Sequence, residues 1–194
     1  MAGAVPVTMS DWGADALVCS GYKWLSAPGG VALLAVTDEL AAVTPPFVGW
    51  KGSATPFDFK PQELSLAGDA RRFELSTMSY SAASGLLASI KLLTGLGLDS
   101  IREHADRLAA SLVERTAPLG WTPYRPLSDP SASGHIVSLR HATAAVDEVQ
   151  AALAGEHRII TSARGGGIRV SLHAYNSDDD VRALSEVLGS IGSA

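Results

Sequence analysis

The sequence predicts a mixed α/β chain in two parts, with residues 1–97 as an α/β domain and residues 98–194 as a small α+β domain. Three observations predict it. Two solid apolar runs, residues 16–19 and 31–36, flank a loop rich in Lys, Gly and Pro, as neighbouring sheet strands do. Ile101, Ala105, Leu108 and Leu112 recur at intervals of four, three and four, the stripe of an amphipathic helix over residues 99–118. From residue 135 the pattern reads strand, helix, strand, strand, helix, which suits a mostly antiparallel sheet packed on helices.

Residues 1–15 are apolar at first and carry no capping or anchoring signal, so they read like the interior of a domain. Ala16-Leu17-Val18-Cys19 is hydrophobic without alternation, the signature of a strand covered on both faces. It ends at Ser20-Gly21-Tyr22-Lys23-Trp24-Leu25. A lysine just past a strand sits where open α/β sheets hold their ligands. Taken out of water, such a lysine loses its proton more readily and becomes a nucleophilic amine, able to form a Schiff base with an aldehyde cofactor. The alternative is a solvated lysine whose stem lies along apolar surface, and the strand-plus-lysine pattern alone favours it.

Residues 44–80 are loop-rich, broken by Pro45, Pro46, Pro56 and Pro61 and turned at Gly49, Gly52 and Gly68. Phe47, Trp50, Phe57 and Phe59 lie here and are expected to pack under the loop. Residues 81–96 form a helix with Ala82, Leu86, Ile90 and Leu93 on one side. Asp99 or Ser100 is expected to cap the next helix, and Gly120 to end it. Residues 135–139 read as a strand. Thr143 is placed to cap a helix carrying Val146, Val149 and Leu153. Residues 158–163 are a short strand, Arg164-Gly165-Gly166-Gly167 a turn, and residues 168–174 another strand. In the last of these, Ile168, Val170 and Leu172 share one face, and Arg169, Ser171 and His173 share the other. Ser177 begins the final helix, with Asp178, Asp179 and Asp180 at its positive end and Val181, Leu184, Leu188 and Ile191 as its apolar stripe.

Composition narrows the function classes. The net charge is −5 with no long basic run, which argues against nucleic acid or an anionic membrane as the main partner. Cys19 is the sole cysteine, so no internal disulfide forms, and the five histidines are scattered without metal-ligand spacing. With no membrane-length apolar stretch and no leader-like order in residues 1–20, a cytoplasmic setting is expected.

Three segments carry a family resemblance. Ser20-Gly21-Tyr22-Lys23-Trp24-Leu25, followed by Pro28-Gly29-Gly30, resembles the lysine segment of class V aminotransferase-like enzymes, which are pyridoxal 5'-phosphate (PLP) enzymes of fold type I. Arg71-Arg72-Phe73-Glu74-Leu75-Ser76-Thr77 resembles that family's Arg-Phe-Glu-x-Gly-Thr stretch, with Ser76 in place of the glycine. The segment from Ile168 through Arg169 to Ser177 resembles its C-terminal signature. The resemblance implies that Lys23 holds PLP as a Schiff base and moves the substrate's α-proton, with Ser20 and Tyr22 near the cofactor phosphate. It implies that Thr77 reaches the phosphate bound by a partner subunit of a homodimer, and that Arg169 binds the α-carboxylate of an amino-acid substrate. On this basis the first domain is a remnant of the PLP-dependent transferase large domain.

The family's earlier motifs are expected to be missing: the phosphate-binding turn, the group that stacks on the cofactor ring and the aspartate that pairs with its nitrogen. Two readings follow. One is amino-acid chemistry of the aminotransferase or epimerase kind, incomplete in this chain alone. The other is a non-catalytic remnant or subunit that needs a missing N-terminal half or partner. A desulfurase is disfavoured, because residues 161–167 contain no cysteine to act as its nucleophile.

Overall fold

The computed structural model describes residues 2–60 and 62–191. Met1 and Pro61, the latter one of the prolines read as breakers, lie outside the described residues. The chain divides into two compact units, Met1–Leu96 and Gly97–Ala194.

The first unit begins with α1 (Met9–Trp12), β1 (Ala16–Ser20), β2 (Ala32–Val36) and α2 (Asp38–Ala41). It closes with α3 (Tyr80–Leu96). β1 and β2 pair antiparallel, with Ala16 opposite Val36 and Cys19 opposite Leu33. The expected cover on both faces of β1 is not found. Val18 is 74% exposed, and Leu33 and Leu34 are each 42% exposed. Four apolar residues in a row specify a strand, but what covers it comes from elsewhere in a fold, and nothing in the described chain does so.

The loop between α2 and α3, which holds two short 3-10 helical turns at Trp50–Gly52 and Ala70–Phe73, is tied down by hydrogen bonds to its backbone carbonyls. Arg72 donates from Nε to the Ala67 carbonyl at 2.8 Å and from Nη1 to the Val43 carbonyl at 3.2 Å. Arg71 Nη1 donates to the Ser53 carbonyl at 3.1 Å. The loop's aromatics do not pack beneath it as expected: Phe47, Phe57 and Phe59 are 76%, 68% and 71% exposed.

The second unit consists of α4 (Leu98–Thr116), β3 (Thr122–Pro123), β4 (Ile136–Arg140), α5 (Val146–Gly155), β5 (Ser162–Arg164), β6 (Gly167–Ser171) and α6 (Asp178–Ile191). Its strands form one antiparallel sheet in the order β3-β4-β6-β5. The predicted stripes meet in its core. Leu108 and Leu112 of α4, Leu139 of β4, Leu153 of α5, Ile168 of β6 and Leu188 of α6 are fully buried. Each contributes roughly 1.5–3 kcal/mol by leaving water.

Helix starts depart from expectation in two places. α4 is preceded by Gly97, and Asp99 lies in its first turn without capping it. α5 has no side-chain cap: its N-cap residue is Ala145, and Thr143 lies in the preceding turn, where His141 Nδ1 accepts from the backbone N–H groups of Thr143 at 3.3 Å and Ala144 at 3.1 Å. The start of α6 is as read. Ser177 Oγ accepts from the Asp180 N–H at 3.4 Å while Asp180 Oδ2 accepts from the Ser177 N–H at 2.9 Å, a reciprocal cap. The strand expected over residues 158–163 is shorter and shifted to Ser162–Arg164, taking in Arg164 of the expected turn; Arg158 itself takes a left-handed conformation, φ 57°, that extended pairing excludes.

Candidate active site

Lys23 lies on a turn just past the end of β1. The backbone of this turn is closely held. The Gly21 N–H donates to the Val31 carbonyl at 3.0 Å, Ala27 N–H to the Gly21 carbonyl at 2.9 Å, and Ser26 N–H to the Lys23 carbonyl at 2.9 Å. Ser89 of α3 donates its hydroxyl to the Leu25 carbonyl. α3 also presses on the turn at Gly85, where a Cβ would come 2.7 Å from the Pro28 ring. Leu25 and Ala27 are buried, while Tyr22 and Lys23 point into the open. The turn therefore holds a fixed backbone under a free amine.

The desolvated lysine expected from the sequence is not found. Lys23 is exposed, its Nζ 5.8 Å from the centroid of the Tyr22 ring. The same uncovered side of β1 accounts for this. Ser20 is half-buried at the end of β1, and Tyr22 and Lys23 are exposed on the turn that follows, which puts two hydroxyl-bearing residues and an amine close together in the chain. Cys19, beside them on β1, is half-buried, not fully buried as its strand position suggests.

Thr77 is exposed on the segment that leads into α3. That segment is positioned through Leu75. A Cβ on Gly49 would lie 1.8 Å from the Leu75 carbonyl oxygen, so only glycine permits this approach.

Arg169 belongs to the second unit, on β6. Ser138 of β4 and Ser162 of β5 stand directly opposite it in register, so the three share one face of the sheet. The other face carries Ile168 and Val170 into the core, as the alternation predicts. Arg169 Nε is shielded from water and has no hydrogen-bond partner among the described residues. A guanidinium left so poorly satisfied in a folded chain is suited to an anionic ligand. Ser138 was not singled out from the sequence, although it occupies a polar position in the alternating run Ile136 to Arg140.

His173 departs from the expected Arg/Ser/His face. β6 ends at Ser171, and His173 is 3% exposed beyond it. Its Nδ1 accepts from the Ala174 N–H at 2.7 Å, and its ring stacks on Tyr175 at 4.9 Å. It shapes the corner that leads into α6.

This chain matches the family Aminotransferase class-V over residues 1–184. The chain belongs to the class V aminotransferase family. It is similar to the uncharacterized aminotransferase YcbU of Bacillus subtilis, 31% identical over 96% of this chain and 48% of that protein. It is also similar to a kynureninase of Bacillus mycoides, 29% identical over 97% of this chain and 45% of that enzyme. Among solved structures, apo cysteine desulfurase from Thermococcus onnurineus NA1 superposes with a TM-score of 0.87 at 25% identity, over 99% of this chain and 50% of that one. A C-DES variant with glycine covalently linked to its PLP cofactor gives a TM-score of 0.81 at 24% identity, over 98% of this chain and 49% of that one. The fold is thus that of the PLP-dependent fold type I enzymes. The chain spans about half the length of the relatives it matches.

Proposed function

We propose that this class V chain supplies the lysine, phosphate-binding and carboxylate-binding parts of a PLP enzyme that transforms an amino acid by aminotransferase-like or epimerase-like chemistry. The observation that carries the reading is the lysine turn, where a closely held backbone leaves the side chains of Tyr22 and Lys23 exposed just past Ser20 at the end of β1. This donor set fits PLP: an amine suits its aldehyde, and hydroxyls suit its phosphate. When bound, PLP withdraws electrons from the substrate's α-carbon.

Lys23 is the covalent anchor and, once released, the base that carries the α-proton. A fixed turn keeps its amine within a small arc, which limits the orientations lost on reaction. Ser20 and Tyr22 donate to phosphate oxygens. Thr77 does so for the partner subunit of a homodimer, which agrees with its exposure here. Arg169 offers its fork to the α-carboxylate, and Ser138 and Ser162 hold polar surface on either side. A cytoplasmic setting belongs to the same reading; among the described residues no helix is long and apolar enough to cross a membrane.

Arg169 is tested by following the PLP absorbance while amino acids are added. Arg169→Ala is expected to raise the concentration needed for a spectral change at least tenfold, with PLP uptake itself unchanged. Equal responses in both proteins would refute the assignment.

A second reading rests on the exposure of Val18, Leu33, Leu34 and Lys23. In it, the chain is a non-catalytic remnant or a subunit that acts only when another polypeptide segment covers β1 and β2. An activity that appears only when a polypeptide carrying the family's N-terminal motifs is co-expressed would favour it.

A further inference from the structure

We propose that Trp50, Lys51 and Phe59 form a binding site for a flat apolar acid, a hydrophobic ring that bears a carboxylate. The first observation is a cavity of about 460 Å³ in the loop between α2 and α3, walled by Val48, Trp50, Pro56, Phe59, Leu64 and Leu66. Its size and its mostly apolar lining are those of a small-molecule pocket. The second is that the rings are organised although they are exposed. Trp50 lies 5.8 Å from Phe57 and 6.0 Å from Phe59, and Phe57 lies 6.5 Å from Phe59. Phe59 sits at φ 48°, a left-handed conformation that a bulky residue rarely adopts and that functional loops are known to sustain.

The third observation is the state of Lys51. Its ammonium lies 4.7 Å from the Trp50 ring centroid and 5.0 Å from that of Phe57, and donates to the Tyr80 hydroxyl at 3.3 Å. It makes no ion pair with a carboxylate among the described residues, whereas Lys60 and Glu63, both on the cavity wall, are matched with each other at 3.9 Å. A cation fixed by two rings and a hydroxyl, and left without an anion, is ready to receive one. Trp50 joins the two features, since it walls the cavity and carries the ammonium. The ring of the ligand takes the cavity. Its carboxylate takes Lys51 Nζ and the hydroxyl proton of Tyr80.

The natural occupant follows if the PLP reading holds. Gly49, in the cavity wall, closely approaches the Leu75 backbone, two residues before Thr77, which ties the loop to the segment of the phosphate threonine. The occupant is then the substrate's side chain, an apolar ring with a distal acid. That identification rests on the PLP reading; the site itself does not, and it is tested without cofactor.

The chain has four lysines, so its side-chain Cε resonances are readily resolved by NMR in selectively labelled protein. Phenylacetate, phenylacetamide and inorganic phosphate are titrated in turn into the full chain. Phenylacetate is expected to shift the Lys51 resonance saturably and to bind about tenfold or more tightly than phenylacetamide, the difference expected for one charge-assisted hydrogen bond. Lys51→Met should remove that difference and Lys60→Met should keep it. Equal binding of acid and amide, no saturable shift at Lys51, or a preference for inorganic phosphate would each overturn the proposal. The acid and amide comparison needs no variant, so it stands even if Lys51→Met fails to fold. Loss of this binding while Lys23 still takes up PLP would sink this inference alone.

Discussion

Gly85 and Gly95 lie on the same helix, α3, and replacing each by alanine should have opposite effects. In a helix interior, alanine is better than glycine by about 0.5–1 kcal/mol, because it restricts the unfolded chain. At Gly95, the penultimate residue of α3, nothing lies within 4 Å of the added Cβ, so a smaller gain of the same sign stands. At Gly85 the Cβ would meet Pro28 Cδ and Cγ at 2.7 Å. Ordinary carbon contacts lie near 3.5–4.0 Å, so the pyrrolidine ring must retreat by roughly 1 Å. Pro28 closes the lysine turn and its ring is rigid, so the strain falls on that turn. Overpacking of this kind costs about 1–3 kcal/mol, which exceeds the helix gain. Gly95→Ala should therefore be more stable than the parent by up to about 0.5 kcal/mol, and Gly85→Ala less stable by about 0.5–2 kcal/mol. Urea unfolding followed by circular dichroism measures both. Gly85→Ala should also take up PLP at Lys23 more weakly, a loss Gly95→Ala should not show. If both variants are equally stabilised and take up PLP equally, α3 does not support the lysine turn as described.

Two further outcomes follow from the second unit. Trp121 is fully buried with its indole N–H unpartnered among the described residues, so Trp121→Phe should forfeit volume but no hydrogen bond. A loss of about 1–2 kcal/mol is expected for phenylalanine against about 3–5 for alanine, measured by thermal or urea unfolding. His135 is 3% exposed; burial lowers its pKa below the ordinary value of about 6.5, helped by nearby His173 and opposed by Asp106. The unfolded chain then takes up a proton at higher pH than the folded one. This contribution to stability is present above about pH 6.5 and is lost as pH falls through the lowered folded value. His135→Gln should flatten that part of the stability profile, and an unchanged slope would contradict the assignment.

What the sequence made legible was mostly local. The α4 stripe Ile101, Ala105, Leu108 and Leu112, the alternation of Ile168 and Val170, and the Ser177–Asp180 cap all depend on neighbours within a few residues. Those features are found as read. The Lys23, Thr77 and Arg169 segments were legible as motifs before any geometry was known. The misreadings share another cause, since each depended on distant chain. The apolar run of β1 looks like a doubly covered strand, yet Val18 is largely exposed. The loop aromatics look like core residues, yet Phe57 and Phe59 meet Trp50 at the surface. Thr143 does not cap α5; it sits in a turn before the helix that is held by His141, whose ring lies against Trp121, 5.1 Å between centroids. No propensity at Thr143 announces that.

Whether Lys23 is the covalent anchor of the cofactor is decided by trapping the adduct. The chain is mixed with PLP, reduced with borohydride and digested, and the pyridoxyl-modified peptides are mapped by mass spectrometry. One dominant adduct is expected at Lys23 and is absent from Lys23→Ala, with Lys51, Lys60 and Lys91 modified only weakly. Even labelling of all four lysines, or an adduct pattern unchanged in Lys23→Ala, would contradict it.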